Sequence, residues 1–227
     1  MSNIKLLVID DEESIVNLIV SYLRPEGYEI FTATDGHSGL QSFRAYKPDL
    51  IVLDVMLPGI DGIELLSMIR RESNVYVIML TAKSEETDKI VGLRIGADDY
   101  VTKPFSPREL VARIKAAVRR MSNGGDSAEA SMLISKHIRI DTGGRQVWVD
   151  GQLIELTATE FDLMKSLAKH RGLVLSREQL LENVWGHEYF GELRVVDVHV
   201  GHIRQKIGEE FIATVRGVGY RFEDEVV

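Results

Sequence analysis

The chain has 227 residues, 44% of them hydrophobic and 27% charged, which is the composition of a globular protein large enough for one big domain or two ordinary ones. It has no cysteine, which excludes disulfides, thiolate metal sites and thiol nucleophiles. No apolar run approaches the roughly eighteen residues of a membrane span, and Met1-Ser2-Asn3-Ile4-Lys5 lacks a signal-peptide pattern, so a cytoplasmic protein with no membrane contact is expected. The formal charge of −8 divides evenly, with 15 Lys and Arg against 19 Asp and Glu in residues 1–128 and 12 against 16 in residues 129–227. Neither half carries the basic excess of a domain that binds nucleic acid by bulk charge, so any such function must rest on a local patch.

From Ile4 to about Met121 strand and helix patterns alternate five times. Strand-like runs fall at Ile4–Asp10, Tyr28–Thr32, Leu50–Asp54, Tyr76–Thr81 and Asp99–Thr102. The first helical stretch repeats apolar residues at Ile15, Leu18, Ile19, Tyr22 and Leu23, the stripe of a helix lying on a sheet. The last opens with Ser106 as N-cap, Pro107 at the first helical position and Glu109 three residues after the cap. Lys115, Arg119 and Arg120 approach its other end, where cations suit the helix dipole. Strands alternating with single helices predict an α/β fold, a doubly wound five-stranded parallel sheet with right-handed crossovers.

Leu50-Ile51-Val52-Leu53-Asp54 organises this half: four apolar residues predict a strand buried on both faces, ending in a carboxylate. A lone strand-end aspartate ordinarily caps the next turn. Here Asp10, Asp11, Thr81 and Lys103 end other predicted strands, and ligands of open α/β sheets bind outside that carboxyl edge. In the flavodoxin-like order 2-1-3-4-5, strands one and three are neighbours, which brings Asp10, Asp11 and Asp54 together. Two carboxylates about 4 Å apart repel by ~4 kcal/mol at an effective dielectric of ~20, so three need a cation or one must stay protonated. Oxygen-only ligands suit Mg²⁺. A divalent ion, a free carboxylate and a nearby lysine describe phosphoryl transfer onto aspartate, with Lys103 neutralising the incoming group and the Thr81 hydroxyl donating to it.

The set Asp10-Asp11, Asp54 followed by Met56-Leu57-Pro58-Gly59, Thr81-Ala82 and Lys103-Pro104-Phe105 resembles the receiver domain of two-component response regulators. The resemblance implies that Asp54 accepts phosphate from a histidine kinase, by Mg²⁺-assisted self-phosphorylation and with autodephosphorylation. Asp10, Asp11, Asp54 and the Met56 carbonyl would hold Mg²⁺, Thr81 and Lys103 would contact phosphoryl oxygens, and Lys103–Pro104 would be cis. Tyr100 matches the family's switch aromatic, which turns inward as Thr81 moves. Receiver dimers on phosphorylation are implied through the fifth strand and the helices on either side of it. Lys89, Asp98, Asp99, Glu109 and Arg113 match positions of cross-subunit ion pairs there.

Met121 to Ser131 is small, polar and glycine-containing and predicts a flexible linker, giving domains at 1–121 and 134–227 joined by 122–133. Residues 134–156 show strand character, with Asp150-Gly151 as a two-residue hairpin turn. Two helices follow, each opening in a capping box, Thr157 with Glu160 and Ser176 with Gln179, with Gly172 and Gly186 as their stops. A third, about Arg194 to Ile207, buries Val196, Val200, Ile203 and Ile207 and turns Arg194, Val198, Gly201, His202 and Gln205 the other way. Arg, Gln and His read base edges, valine can meet a thymine methyl, and Arg204 and Lys206 flank that face and suit phosphates. His199 and His202 are three apart with no further ligand near them, so a metal site is rejected.

Leu156 to Phe161, Arg194 to Val200 and Val215-Arg216-Gly217-Val218-Gly219-Tyr220-Arg221-Phe222 resemble the α+β winged-helix effector domain of the OmpR/PhoB subfamily. By that resemblance the third helix enters the major groove of double-stranded DNA, Arg216 reaches the minor groove and Gly217 shapes the wing. Gly201 and His202 depart from the pattern, since relatives often carry a polar or basic residue there. The implied function is a phosphorylation-activated transcriptional regulator whose homodimer binds adjacent promoter half-sites, with RNA polymerase as a further partner. The alternatives are a DNA-binding regulator that ignores phosphate and uses the receiver as a dimerisation module, and a phosphatase or phosphotransferase. The last would need a second carboxylate two residues after Asp54, where the chain has Met56.

Overall fold

The structure is a computed structural model and describes residues 4–82, 95–122, 132–186, 189 and 192–225. The chain divides into two compact units, Met1–Val118 and Arg119–Val227.

In the first unit β1 (Lys5–Ile9), β2 (Glu29–Ala33), β3 (Leu50–Asp54), β4 (Tyr76–Ala82) and β5 (Asp99–Lys103) form one sheet in the order β2-β1-β3-β4-β5. Every pairing is parallel. β3 is central because all five of its residues are buried, a pattern only a strand covered on both faces can satisfy. The helices α1 (Glu13–Leu23), α2 (Gly36–Tyr46), α3 (Gly62–Glu72) and α4 (Pro107–Ser122) connect or follow the strands. Asp35 and Asp61 cap α2 and α3, accepting the Ser38 and Glu64 amides at 2.9 and 2.7 Å. The Lys103–Pro104 peptide is cis.

The apolar stripe of α1 differs from the one periodicity suggests. Val16, Ile19 and Leu23 are buried, whereas Leu18 and Tyr22 are 40% and 41% exposed. The segment is apolar on more than one face, so spacing alone does not choose which one meets the sheet.

Register does the rest. Ile9 pairs with Leu53, so the residues that follow, Asp10 and Asp54, reach the carboxyl edge side by side. Thr81 pairs with Thr102 and Ala82 with Lys103, which places the hydroxyl and the ammonium-bearing residue on the same edge. The start of α3 is pressed against this edge: the Gly62 amide donates to the Val55 carbonyl at 2.9 Å, and a Cβ on Gly62 would lie 1.9 Å from the Asp54 carbonyl oxygen.

In the second unit β6 (Met132–Ile134), β7 (Ile138–Asp141), β8 (Gln146–Val149) and β9 (Gln152–Ile154) form an antiparallel meander. β6 begins at Met132, within the stretch read as the tail of the linker; residues 123–131 of that stretch lie outside the described residues. Asp150 and Gly151 make the tight β8–β9 turn with φ of +48° and +82°. Three helices follow, α5 (Ala158–Lys169), α6 (Arg177–Trp185) and α7 (Arg194–Ile207), and both expected capping boxes form. α5 ends at Lys169 with His170 as its C-cap, before Gly172, while Gly186 caps α6. The buried side of α7 includes Val195 and His199 besides the four expected residues. A three-stranded sheet closes the unit in the order β10 (Leu175–Ser176), β12 (Gly219–Phe222), β11 (Ile212–Val215). β10 has only two residues, too few to register as a periodic pattern.

Gly62→Ala is expected to destabilise the first unit by about 2–3 kcal/mol, because the new methyl meets backbone that cannot swing away. Gly201→Ala, in mid-α7 with nothing within 4 Å of the added Cβ, is expected to stabilise the second by about 1 kcal/mol. Urea unfolding of the two variants beside the native chain checks both signs.

Candidate functional site

At the carboxyl edge of the first sheet, Asp10 and Asp54 are buried and Asp11 is exposed on the turn after β1. One carboxylate oxygen from each lies within 4.8 Å of the others. Lys103 reaches across from β5, its Nζ 2.8 Å from Asp10 Oδ2, 3.1 Å from Asp54 Oδ2 and 3.7 Å from Glu12 Oε1. The Asp10 carboxylate is held from behind by the Glu12 amide, which donates to Oδ1 at 2.9 Å.

One ammonium does not neutralise three carboxylates. Burial pushes the Asp54 carboxyl up to about 6, with the Asp10 and Asp11 charges acting the same way and Lys103 opposing. Burial alone would pull the Lys103 ammonium down, but its hydrogen bond to Asp10 and the charges of Asp54 and Asp10 outweigh that and leave it raised. The donor set is all oxygen and still negative after Lys103 is counted, which fits a hard divalent cation. Thr81 is buried beside this edge, its hydroxyl only loosely engaged with the Ala82 carbonyl at 3.4 Å. Met56 projects its side chain outward, 62% exposed, and the ring of Tyr100 is buried.

The residues matched to a dimer surface separate into two groups. Asp98 has no exposed surface: its carboxylate pairs with Arg70 Nη2 at 2.8 Å and accepts the Val77 amide at 2.9 Å. It braces α3 and β4 from inside. Asp99, Glu109 and Arg113 form a network within the chain, Arg113 holding Asp99 at 3.1 Å and Glu109 at 2.7 Å. Lys89 lies outside the described residues.

In the second unit the exposed face of α7 presents Arg194 and Gln205, with Val198 and Gly201 half-buried between them. The wing turn between β11 and β12 exposes Arg216, Gly217 and Val218, Gly217 taking φ of +74°. Three residues of the predicted DNA surface are engaged inward. Arg204 donates to the Ile212 carbonyl at 3.0 Å through Nε and to Thr214 Oγ1 at 2.7 Å, tying α7 to β11. Lys206 reaches the buried Glu160 carboxylate at 2.7 Å, and His202 Nδ1 lies 3.6 Å from the other oxygen of Glu160. The 100° wheel turns His202 outward, yet the Glu160 charge on α5 draws it in, leaving its side chain 12% exposed.

Sequence reasoning assigned no role to the cluster that holds the wing in place. The Tyr220 ring sits between Arg177 and Arg204, 5.0 and 5.5 Å from its centroid, and its hydroxyl donates to Asp197 Oδ1 at 2.6 Å. Asp197 also accepts from Arg177 Nε at 2.6 Å. Burial, then the bond to Asp197, push the Tyr220 hydroxyl up to about 12. The only sequence-level hint is Asp197, an acid in the first turn of a helix whose neighbouring residues are apolar.

A receiver-domain model for response regulators matches residues 6–115, and one for the C-terminal part of transcriptional regulatory proteins matches residues 151–222. The chain is 44% identical to the alkaline phosphatase synthesis transcriptional regulatory protein PhoP of Bacillus subtilis (strain 168), over 98% of both chains. The chain belongs to the response regulator family, OmpR/PhoB type. Among solved structures it resembles a RitR mutant, with TM-score 0.76 and 28% identity over 98% of this chain and 100% of that one. It also resembles DrrB, an OmpR/PhoB homologue of Thermotoga maritima, with TM-score 0.53 and 34% identity over 97% and 99%. This response regulator is therefore a phosphorylation-regulated transcription factor of a two-component system and not a classical enzyme. Response regulators of the PhoP type work with histidine kinases and bind DNA. No described helix of this one is long and apolar enough to cross a membrane.

The raised Asp54 carboxyl has a consequence for stability. Its value is 3.8 in the unfolded chain and about 6 in the folded one, so between these the folded chain holds a proton that the unfolded chain has released. Stability from this residue therefore falls as pH rises through that window and stays lost above it. Asp54→Asn is expected to raise stability by about 1–3 kcal/mol near pH 8, with the gain vanishing near pH 4. Urea unfolding of both proteins at the two pH values measures it.

Proposed function

We propose that Asp54 is the phosphoacceptor of this response regulator and that Asp10, Asp11, Asp54 and the Met56 carbonyl hold Mg²⁺ beside it. The observation that carries the reading is Lys103 Nζ bridging Asp10 and Asp54 at 2.8 and 3.1 Å at the carboxyl edge of the sheet. An Asp54 carboxylate oxygen attacks the phosphorus of the kinase phosphohistidine, and the P–N bond breaks with its electron pair returning to the imidazole. Mg²⁺, when bound, supplies positive charge to the transferring phosphoryl oxygens and offsets the repulsion among the carboxylates. Lys103, already salt-bridged to Asp54, moves with its charge onto a phosphoryl oxygen, and Thr81 turns its hydroxyl to a second. Filling of the Thr81 position is coupled to Tyr100, which is buried on the adjoining strand. Water attack on the acyl phosphate returns Asp54 to its starting state, which makes the modification self-limiting.

Residues 1–121 then act as the receiver, 122–133 as a linker and 134–227 as the DNA-binding domain. Phosphorylation favours a homodimer in which Lys89, Asp98, Asp99, Glu109 and Arg113 re-pair across subunits. Because Asp99, Glu109 and Arg113 are satisfied within the chain, the gain per exchanged pair is small and the switch stays near balance. The dimer places two copies of α7 in adjacent major grooves, about one helical turn or ~10 bp apart. Arg194, Val198, Gly201 and Gln205 face base edges, while His202, Arg204 and Lys206, which the helical wheel places with them, are held by Glu160 and β11 and reach DNA only on leaving those partners. Arg216 and Gly217 carry the wing into the minor groove. Joining two modest binders raises affinity through effective concentration, and the bound dimer presents a surface to RNA polymerase in the cytoplasm.

Operator selection with and without beryllofluoride plus Mg²⁺ tests the switch. Tighter binding and a monomer-to-dimer shift are expected in the native chain and not in Asp54→Ala; binding indifferent to beryllofluoride would favour the phosphate-independent regulator. Acetyl-phosphate labelling that survives Asp54→Asn would remove Asp54 as the acceptor. Arg216→Ala is expected to weaken operator binding by about 1–3 kcal/mol and to lower the salt slope by about 1, measured by fluorescence anisotropy across a salt series.

A further inference from the structure

We propose that Glu160, His199 and His202 form a binding site for a divalent transition-metal ion of the Zn²⁺ class, linking α5 to α7 in the second unit. The two histidines, three apart on α7, make no site by themselves. The fold supplies the third donor, a carboxylate from the first turn of α5, and brings one ligand atom of each residue within 4.8 Å of the others.

The geometry is close to what such an ion needs. Bonds of about 2.0–2.1 Å in a tetrahedral shell put ligand atoms about 3.3 Å apart. His202 Nδ1 and Glu160 Oε1 already stand at 3.6 Å, a few tenths of an ångström from that separation. The His199 and His202 rings meet edge to face with centroids 5.9 Å apart, and Trp185 flanks His199 at 5.6 Å. Two imidazole nitrogens and one carboxylate oxygen, with no thiolate, select Zn²⁺, Co²⁺ or Ni²⁺ over Mg²⁺ or Ca²⁺ and leave a fourth position for water.

The carboxylate divides its two oxygens between separate tasks. Oε2 accepts the Thr157 amide at 2.8 Å, completing the capping box, and takes the Lys206 ammonium at 2.7 Å. Oε1 faces His202. These bonds orient the carboxylate as the outer partners of a metal ligand do, and the capping box and an ion can coexist. Lys206 is the one cation beside Glu160 among the described residues, and its side chain, 34% exposed, can swing toward water as an ion enters. Glu160 and His199 are buried, while His202 at 12% exposure gives the way in.

The test uses the full-length protein with Mg²⁺ in excess to fill the acidic pocket of the first unit, and Co²⁺ as the probe. The native chain is expected to bind one Co²⁺ with the intense visible absorption of a tetrahedral site, displaced by Zn²⁺. His202→Gln and His199→Gln are expected to bind about a hundredfold more weakly or worse. His137→Gln, which alters the His137–Asp150 pair elsewhere in the unit, is expected to keep the site. Melting in EDTA separates ligand loss from misfolding: His202→Gln should melt like the native chain without metal and lack the rise that Zn²⁺ produces. A native chain with no saturable tetrahedral Co²⁺ signal, or a His202→Gln variant that retains it, overturns the proposal.

Discussion

A carboxylate buried at the end of a central strand is unfavourable unless charge is brought to it, and the first unit of this response regulator is built around that constraint. Asp54 cannot move away, because β3 is enclosed on both faces and Gly62 presses α3 against its carbonyl. Asp10 cannot move away either, because it follows β1, which pairs with β3 in register. Lys103 offsets part of the repulsion, and the raised Asp54 carboxyl records what is left over. A site held in this condition responds strongly to a divalent cation or a phosphoryl group, since each changes the local charge by more than any side-chain rearrangement can. On the proposed function, the same imbalance that weakens the resting fold suits the pocket to the phosphoryl group.

The second unit solves a different problem, holding a thin wing at a fixed angle to a helix. Tyr220 does this by lying between two guanidinium groups while its hydroxyl bonds Asp197 at the start of α7. Arg204 adds bonds from the end of α7 to β11. Helix and wing are therefore tied together, which on the proposed function leaves less ordering to oppose DNA binding. Arg204 and Lys206, which a helical wheel assigns to the DNA backbone, show that a cation on the rim of a recognition helix can serve the scaffold first. A chain with net charge −8 cannot attract DNA by its mean field, so on the proposed function local cations such as the exposed Arg194 and Arg216 must be placed accurately.

His202 illustrates how far a single side chain can depart from its helical phase. Gln205 and Arg194 remain exposed on the same face, but the buried carboxylate of Glu160 draws His202 inward. No periodicity argument contains that information, because Glu160 lies on another helix and reads in sequence only as the third residue of a capping box. The Leu18 and Tyr22 pair on α1 is the converse case, two apolar residues that fit the period and yet face solvent.

By itself the sequence determined most of the elements and which residues stand at the strand tips. Apolar runs ending in Asp10, Asp54 and Thr81 specify strands and the residues at their tips, capping boxes at Thr157 and Ser176 start helices, and Asp150-Gly151 turns a hairpin, because each depends on bonds and periods within a few residues. The parallel order of the sheet followed from the alternation of strand and helix. Tertiary structure alone decided which face of α1 is buried, why Asp98 serves Arg70 inside the fold, how β10 joins the wing, and that Glu160 stands beside two histidines on α7. The reason is common to all four: each is a contact between residues far apart in the chain, whose energy depends on the packing of whole elements, and no local pattern carries that distance.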